Sequence, residues 1–196
     1  MPTVNPLGHL MGQAAVLLEH AGDLPRLCVG LRAGDNAVQL KSLGHEPLSV
    51  HRGAIDRIAE LLGAQASMHQ VVEQTYAYSV QGEWESITVQ AMALTPNGRH
   101  PAVPRARSTT TADTVALLRD LRSWASALDL TQARKLDILD SGAALEVMLH
   151  IDSPGNREGA AQELAGSLPN QLDRWQHGSG GQALLPTGHT LIIHTL

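Results

Sequence analysis

The chain has 196 residues, a formal net charge of −5, and 43% hydrophobic against 17% charged residues. This balance excludes an intrinsically disordered chain, and the negative net charge disfavours nucleic acid as the main partner. Phe is absent and aromatic residues make up only 3% of the chain, so we expect a core built from Leu, Val, Ile and Ala.

Cysteine use and hydropathy indicate the compartment. Cys28 is the single cysteine, which excludes an intramolecular disulfide framework and is typical of a reducing compartment. No apolar run reaches the length of about 18 residues that a membrane span needs, and the N-terminus lacks a basic region followed by an apolar one. We expect a cytoplasmic protein with no membrane partner. The bias toward Ala, Gly, Leu and Arg is typical of GC-rich coding sequence and indicates a bacterial source.

The chain opens with a helix and a hairpin. Asn5 can cap a helix whose apolar residues recur at three-to-four spacing until Gly22. Residues 26–32 and 37–43 alternate between apolar and polar on either side of a turn, which predicts two antiparallel strands.

A second helix and a second hairpin complete the first half. The helix is predicted from about residue 51 to residue 62, and Gly63 is expected to end it. Residues 73–80 and 83–94 are rich in Tyr, Val, Thr and Ile and are predicted to be strands. Gln81-Gly82 between them predicts a tight turn.

Residues 96–108 separate two similar halves. This stretch contains three prolines, one glycine and three arginines, so it suits neither a helix nor a central strand. One interpretation is a solvated connecting loop. The other is a loop that uses Arg99, Arg105 and Arg107 to hold phosphate or an acidic partner.

The second half repeats the order of elements. Thr110 precedes Asp113 in a cap-like arrangement, and a helix is predicted to continue to residue 128. The remaining predicted elements are strands at 134–140 and 143–152, a helix at 160–168, a glycine-rich loop at 177–181 and a strand at 190–196.

The order of elements predicts an α+β fold made of tandem, pseudo-duplicated α-β-β-α-β(β) halves. Residues 1–95 form the first half, 96–108 the connecting loop and 109–196 the second half, and the two halves can also form one continuous domain. Hairpins predict a mostly antiparallel sheet covered by helices. This order is loosely similar to that of small acidic secretion-chaperone domains, in topology only and without a shared motif.

Ten histidines raise the question of a metal site. Neither His-x-His nor His-x-x-x-His occurs, and His189 and His194 are five residues apart, so they point to opposite faces of a strand. We expect no metal and no cofactor. His150 and Asp152 share a strand face and could act as a base with its orienting carboxylate, although solvated polar residues are also typical of such a face.

The leading hypothesis is a non-enzymatic protein-binding or assembly protein, such as an adaptor or escort. It would hold another protein through a sheet edge or through the hairpin at residues 73–94, with Tyr76, Tyr78 and Trp84 as candidate contacts. Unpaired sheet edges also make a homo-oligomer an alternative to a monomer.

Two other classes of function stay open. The first is an enzyme whose dispersed site lies between the halves and draws on His150, Asp152, His189 or His194. The second is a nucleic-acid accessory protein that uses the arginines of residues 96–108, for which the net charge gives little support.

Overall fold

The computed structural model describes residues 5–42, 47–72, 75–95, 109–126, 130, 133–140, 145–151, 180–184 and 188–195. Within these ranges the chain forms three helices and nine strands. They are α1 (Pro6–Ala21), β1 (Leu27–Arg32), β2 (Ala37–Ser42), α2 (Leu48–Leu62), β3 (Ser67–Val72), β4 (Thr75–Trp84), β5 (Ile87–Thr95), α3 (Thr111–Ala125), β6 (Ala133–Asp140), β7 (Leu145–Ile151), β8 (Gly180–Leu184) and β9 (Thr190–Thr195).

All nine strands belong to a single sheet, in the order β3-β4-β5-β2-β1-β6-β7-β9-β8. Neighbouring strands are antiparallel except for the pairs β2–β5 and β7–β9, which are parallel. The fold is therefore α+β with a mostly antiparallel sheet, as predicted. Because β1 pairs with β6, strands from both predicted halves share this sheet.

The strand order is symmetric about the β1–β6 pair. On each side of that pair lies the hairpin partner (β2 or β7), then a parallel strand (β5 or β9), then an antiparallel neighbour of that strand (β4 or β8). In the described part of the chain, β3 is the one strand without such a counterpart. The duplication itself stays a prediction.

The helix ends form where capping residues predict them. The Asn5 side chain accepts hydrogen bonds from the backbone N–H groups of Leu7 and Gly8, and Thr110 and Asp113 form a capping box at the start of α3. Gly63 ends α2 in the left-handed conformation with φ of 59°. These local signals predict helix termini because the first and last turns leave backbone groups without intrahelical partners.

The core lies between the helices and one face of the sheet. Helix α1 packs against α3 and over β1, β2 and β6, and α2 packs over β4 and β5. The core is aliphatic, as the composition predicts, and Trp84 and Trp124 lie at its margin. We call the opposite face of the sheet the far face. The largest fully buried side chains are Leu7, Leu10, Met11, Leu17, Leu18, Leu24, Leu31, Leu40, Ile55, Ile58, Ile87 and Leu117.

The predicted turn at Gln81-Gly82 is wrong. Both residues lie inside β4, and the chain turns at Glu85, which has a φ of 58°. Gly82 serves helix packing instead, because a Cβ atom at this position would lie 3.0 Å from the Cβ of Leu62 in α2. Glycine at this position therefore marks a close approach of a strand to a helix and not the predicted turn.

The sequence does not predict two of the strands. β3 lies in a stretch without a predicted element, and β8 begins at Gly180, inside the predicted glycine-rich loop. Both lie at the ends of the strand order, where a strand has a neighbour on one side only and its apolar pattern is weaker. The predicted helix at 160–168 and the connecting loop at 96–108 lie outside the described residues.

Candidate functional site

Strand β3 forms one edge of the sheet and carries unusually little protection. Among the described strands it pairs with β4 alone, and all six of its residues are exposed. Its sequence, Ser-Met-His-Gln-Val-Val, contains no Lys, Arg, Asp, Glu or Pro. Natural edge strands are usually blunted by such residues, because the outer side of an edge strand presents backbone N–H and C=O groups to any passing strand.

Exposed apolar side chains concentrate at this edge. Of the seven large hydrophobic residues that are exposed in the described part of the chain, five lie on β3, β4 and β5 near their shared end. We call these five the edge patch: Met68, Val71, Val72, Tyr76 and Leu94. Val72 is the most exposed, at 60%, and Val71 follows at 51%. Clustering of this kind marks interaction surfaces more often than single scattered residues do.

The strand register places the edge patch on both faces of the sheet. Met68 lies opposite Tyr78, and Tyr76 is two residues from Tyr78, so these side chains share the helix-bearing face. Leu94 lies opposite Ala77 and therefore lies on the far face. The register shifts between residues 70 and 72 of β3, and this bulge adds a residue, Val71, to the edge. The patch thus surrounds the edge rather than covering one side of it.

The three aromatic candidates differ in their surroundings. Tyr78 is held against α2, because its hydroxyl donates a hydrogen bond of 2.5 Å to Asp56 and its ring lies 5.4 Å from the guanidinium carbon of Arg52. The hydrogen bond to the Asp56 carboxylate raises the pKa of Tyr78. Trp84 packs against the core margin beside the ring of His20. Tyr76 alone is exposed, at 45%.

Four of the candidate residues lie outside the described residues. Arg99, Arg105 and Arg107 belong to the connecting stretch, and Asp152 follows directly after β7. The predicted pairing of His150 with Asp152 and the phosphate-binding hypothesis therefore stay predictions.

His150 contacts a carboxylate on the neighbouring strand, that of Asp137 on β6. The Nε2 atom of His150 lies 3.0 Å from Oδ2 of Asp137, and the Nζ atom of Lys135 lies 2.5 Å from the same oxygen. Arg32 on β1 approaches the other oxygen at 3.6 Å. The Asp137 carboxylate therefore contacts two permanent cations and one histidine. We call these four residues the Asp137 cluster.

The Asp137 cluster lies on the far face, next to a glycine. Gly30 pairs with Asp137 across β1 and β6, and a Cβ atom at Gly30 would lie 3.0 Å from an Asp137 oxygen. The side chains of the cluster are between 11% and 28% exposed. His150 is thus more buried than its place on the polar side of an alternating strand predicts. These contacts connect β1, β6 and β7, and removal of one partner would leave a partly buried charge uncompensated.

A row of hydrogen bonds continues from the Asp137 cluster toward the edge patch. Arg32 donates to Gln39 at 2.9 Å, Gln39 donates to Gln90 at 3.2 Å, and Gln90 donates to Gln81 at 3.3 Å. With the cluster, the row crosses six strands from β4 to β7, or roughly 24 Å at the usual strand spacing. Sequence reasoning missed it, since it depends on register between distant strands.

Sequence reasoning also missed a serine–histidine pair. The hydroxyl oxygen of Ser42, at the end of β2, lies 2.7 Å from Nδ1 of His51 on α2. Both residues are buried, at 4% and 7% exposure. A nucleophile and its base need access to a substrate, so this burial favours a structural link between β2 and α2.

Cys28 is half-buried on β1. Burial is the main cause that raises the pKa of its thiol, and it outweighs the opposing effect of a hydrogen bond with the Asp140 backbone. A raised pKa keeps the thiol protonated and therefore weakly nucleophilic at neutral pH. This direction favours a packing role for Cys28 over a role as a nucleophile.

The described part of the chain includes two grooves along the helices. The larger, of about 700 Å³, runs between α1 and α3 and is lined by apolar residues such as Leu18 and Val115 together with Arg119. The smaller, of about 370 Å³, lies beside the start of α2. Among the described residues, no group of three or more His, Cys, Asp or Glu side chains is arranged to hold a metal ion. No described helix is long and apolar enough to span a bilayer.

Comparison with known proteins adds no relative to this description. No protein-family model, no curated protein and no solved structure matches the chain.

Proposed function

We propose that this protein is a non-enzymatic binding protein, of the adaptor or escort type, which holds an extended segment of another polypeptide as an additional strand on β3. The observation that carries the proposal is the edge itself: six exposed residues without a charge or a proline, on a strand with a single neighbour in the described sheet. Strand addition uses the backbone groups that such an edge leaves unpaired.

The edge patch supplies the side-chain part of this binding. A bound strand alternates its side chains between the two faces of the sheet. On the helix-bearing face they would meet Met68 and Tyr76, and near the far face Val72 and Leu94. Both sets of alternating side chains of the partner therefore find apolar contacts, which favours a partner segment with apolar residues on both faces.

The alternative functions receive less support from the geometry. His150 would be the base of a dispersed enzyme site, but its Nε2 atom is engaged by Asp137, which Lys135 and Arg32 also contact. Ser42 and His51 are buried. The edge strand β3 can bind another strand through its backbone groups without any catalytic residue. We therefore favour binding over catalysis.

A peptide-display selection tests the proposal. We expect the wild-type chain to select uncharged, apolar peptides, and amide hydrogen exchange with a selected peptide bound should show new protection in residues 67–72. Val71→Lys and Val72→Lys should each weaken binding about tenfold or more, because a lysine on an edge opposes strand addition.

The chain offers a matched control. Val16 on α1 is an exposed valine at 38%, so Val16→Lys makes the same chemical change away from the edge and should leave peptide affinity unchanged. The proposal is refuted if protection appears elsewhere, or if the β3 variants bind the selected peptides as tightly as the wild type.

A further inference from the structure

We infer that the β3 edge also pairs with β3 of a second copy of this chain, antiparallel and about a two-fold axis at His69, so that two nine-stranded sheets become one. The inference rests on the proposed function in one respect: both use the same outer side of β3. The second copy would occupy the edge when no partner segment is bound.

The composition of β3 permits self-pairing. In an antiparallel pair about a two-fold axis, residues near the axis face residues of the same strand, so a charged residue there would face its own kind and repel it. β3 contains no Lys, Arg, Asp or Glu, whereas several other strands do, for example Lys41 on β2, Glu83 on β4 and Glu146 on β7. The two edge strands, β3 and β8, both lack Lys, Arg, Asp and Glu, and β3 carries the exposed apolar residues Met68, Val71 and Val72.

A second copy also has the chemistry that this edge requires. It presents a strand of the same length, with the same unpaired backbone groups on its outer side, and with the exposed apolar residues Met68 and Val71. Pairing would cover these residues in both copies at once. A second copy is present in any solution of the chain, so pairing of two β3 strands requires no other protein.

The pleat of the strand limits the possible registers. If the helices of both copies lie on the same side of the joined sheet, opposing residues must share a face, and side chains alternate. A residue must then lie on the axis itself. The regular part of β3 is Ser67 to Gln70, before the register shift. With His69 on the axis, Met68 faces Gln70 of the second copy, and Ser67 faces Val71 of the second copy.

Charge complementation at the axis tests the inference. We expect sedimentation velocity to show a dimer for the wild-type chain, and a rise of about tenfold or more in the dimer dissociation constant for His69→Lys and for His69→Glu, each measured alone. An equimolar mixture of the two variants should restore the dimer, since opposite charges then meet at the axis. Val16→Lys should dimerise like the wild type. All six β3 side chains are exposed, so these variants should keep the circular dichroism spectrum of the wild type.

Three results would overturn the inference. The first is a wild-type chain that is monomeric at about 100 μM, and the second is a set of single variants that dimerise as well as the wild type. The third is an assembly that grows beyond the dimer, which would indicate head-to-tail pairing of β3 with β8. The proposed function fails separately. If peptides bind but the wild type is monomeric, only the second-copy inference fails; if the dimer forms but no peptide protects β3, only the proposed function fails.

Discussion

Replacing Asp137 by asparagine tests whether the Asp137 cluster holds the sheet together. The change keeps the shape of the side chain and one oxygen acceptor but removes the negative charge. Lys135 and Arg32 lie directly opposite each other across β6 and β1, so without the carboxylate two cations face each other. Like charges in opposing positions of neighbouring strands are destabilising.

The distances set the expected size of the effect. Lys135 and His150 contact Oδ2 of Asp137 at 2.5 and 3.0 Å, and Arg32 approaches Oδ1 at the looser distance of 3.6 Å. A buried hydrogen bond to a charged group contributes about 1.5–3 kcal/mol, and partial exposure reduces this value. Since asparagine still accepts one hydrogen bond, we expect Asp137→Asn to lower the free energy of unfolding by about 2 kcal/mol. This corresponds to a fall in Tm of about 4–8 °C for a chain of this size.

Urea unfolding monitored by circular dichroism measures this change. Asp35→Asn is the matched control, because Asp35 lies exposed in the turn between β1 and β2, and its replacement should change the free energy by less than about 0.5 kcal/mol. In the Asp137→Asn background, Lys135→Met should recover part of the loss by removing one of the opposed cations. A loss below about 0.5 kcal/mol for Asp137→Asn, or no recovery with Lys135→Met, would refute a structural role for the cluster and renew the case for His150 as a catalytic residue.

Two further predictions concern Gly82 and Cys28. Gly82→Val should lower the free energy of unfolding by about 1–3 kcal/mol, since its Cβ would lie 3.0 Å from the Cβ of Leu62. Urea unfolding measures this change, with Ser79→Val on the other face of β4 as the control. An unchanged midpoint for Gly82→Val would contradict the packing argument. Because the pKa of Cys28 is raised in the folded chain, its alkylation by iodoacetamide should have a midpoint at higher pH in the folded chain than in the same chain unfolded in urea. The midpoint shifts to higher pH because burial disfavours the thiolate form of Cys28. A folded-state midpoint at or below the unfolded one would show that the nearby cations, Arg26 and Lys41, outweigh burial.

Local signals predicted much of the fold. The cap at Asn5, the capping box at Thr110 and the end of α2 at Gly63 each depend on a few neighbouring residues. The alternation along β7 likewise predicts the buried set, which begins at Leu145 and ends at Ile151. These features are written within one or two turns of chain, where the spacing of residue types decides the outcome.

Long-range register explains what sequence reasoning missed. His150 contacts Asp137 because β6 pairs with β7, and Arg32 joins them because β1 pairs with β6. Rules on the spacing of residues along the chain cannot predict which strands pair. Gly82 looked like a turn residue because glycine serves both tight turns and close packing. The edge position of β3 follows from the strand order of the whole sheet, so its lack of charged residues had no meaning until its neighbours were known.

The pairing of β1 with β6 at the centre of the sheet has a consequence for synthesis on the ribosome. The two strands are roughly 100 residues apart along the chain, so at about 5–20 residues per second β1 waits about 5–20 s for its partner. During that time the surface of α1 that later packs against α3 is also uncovered. The emerging first half therefore presents an open strand and an apolar helix face together. Its cellular yield should consequently depend on translation speed and on chaperones that shield such surfaces until the second half arrives.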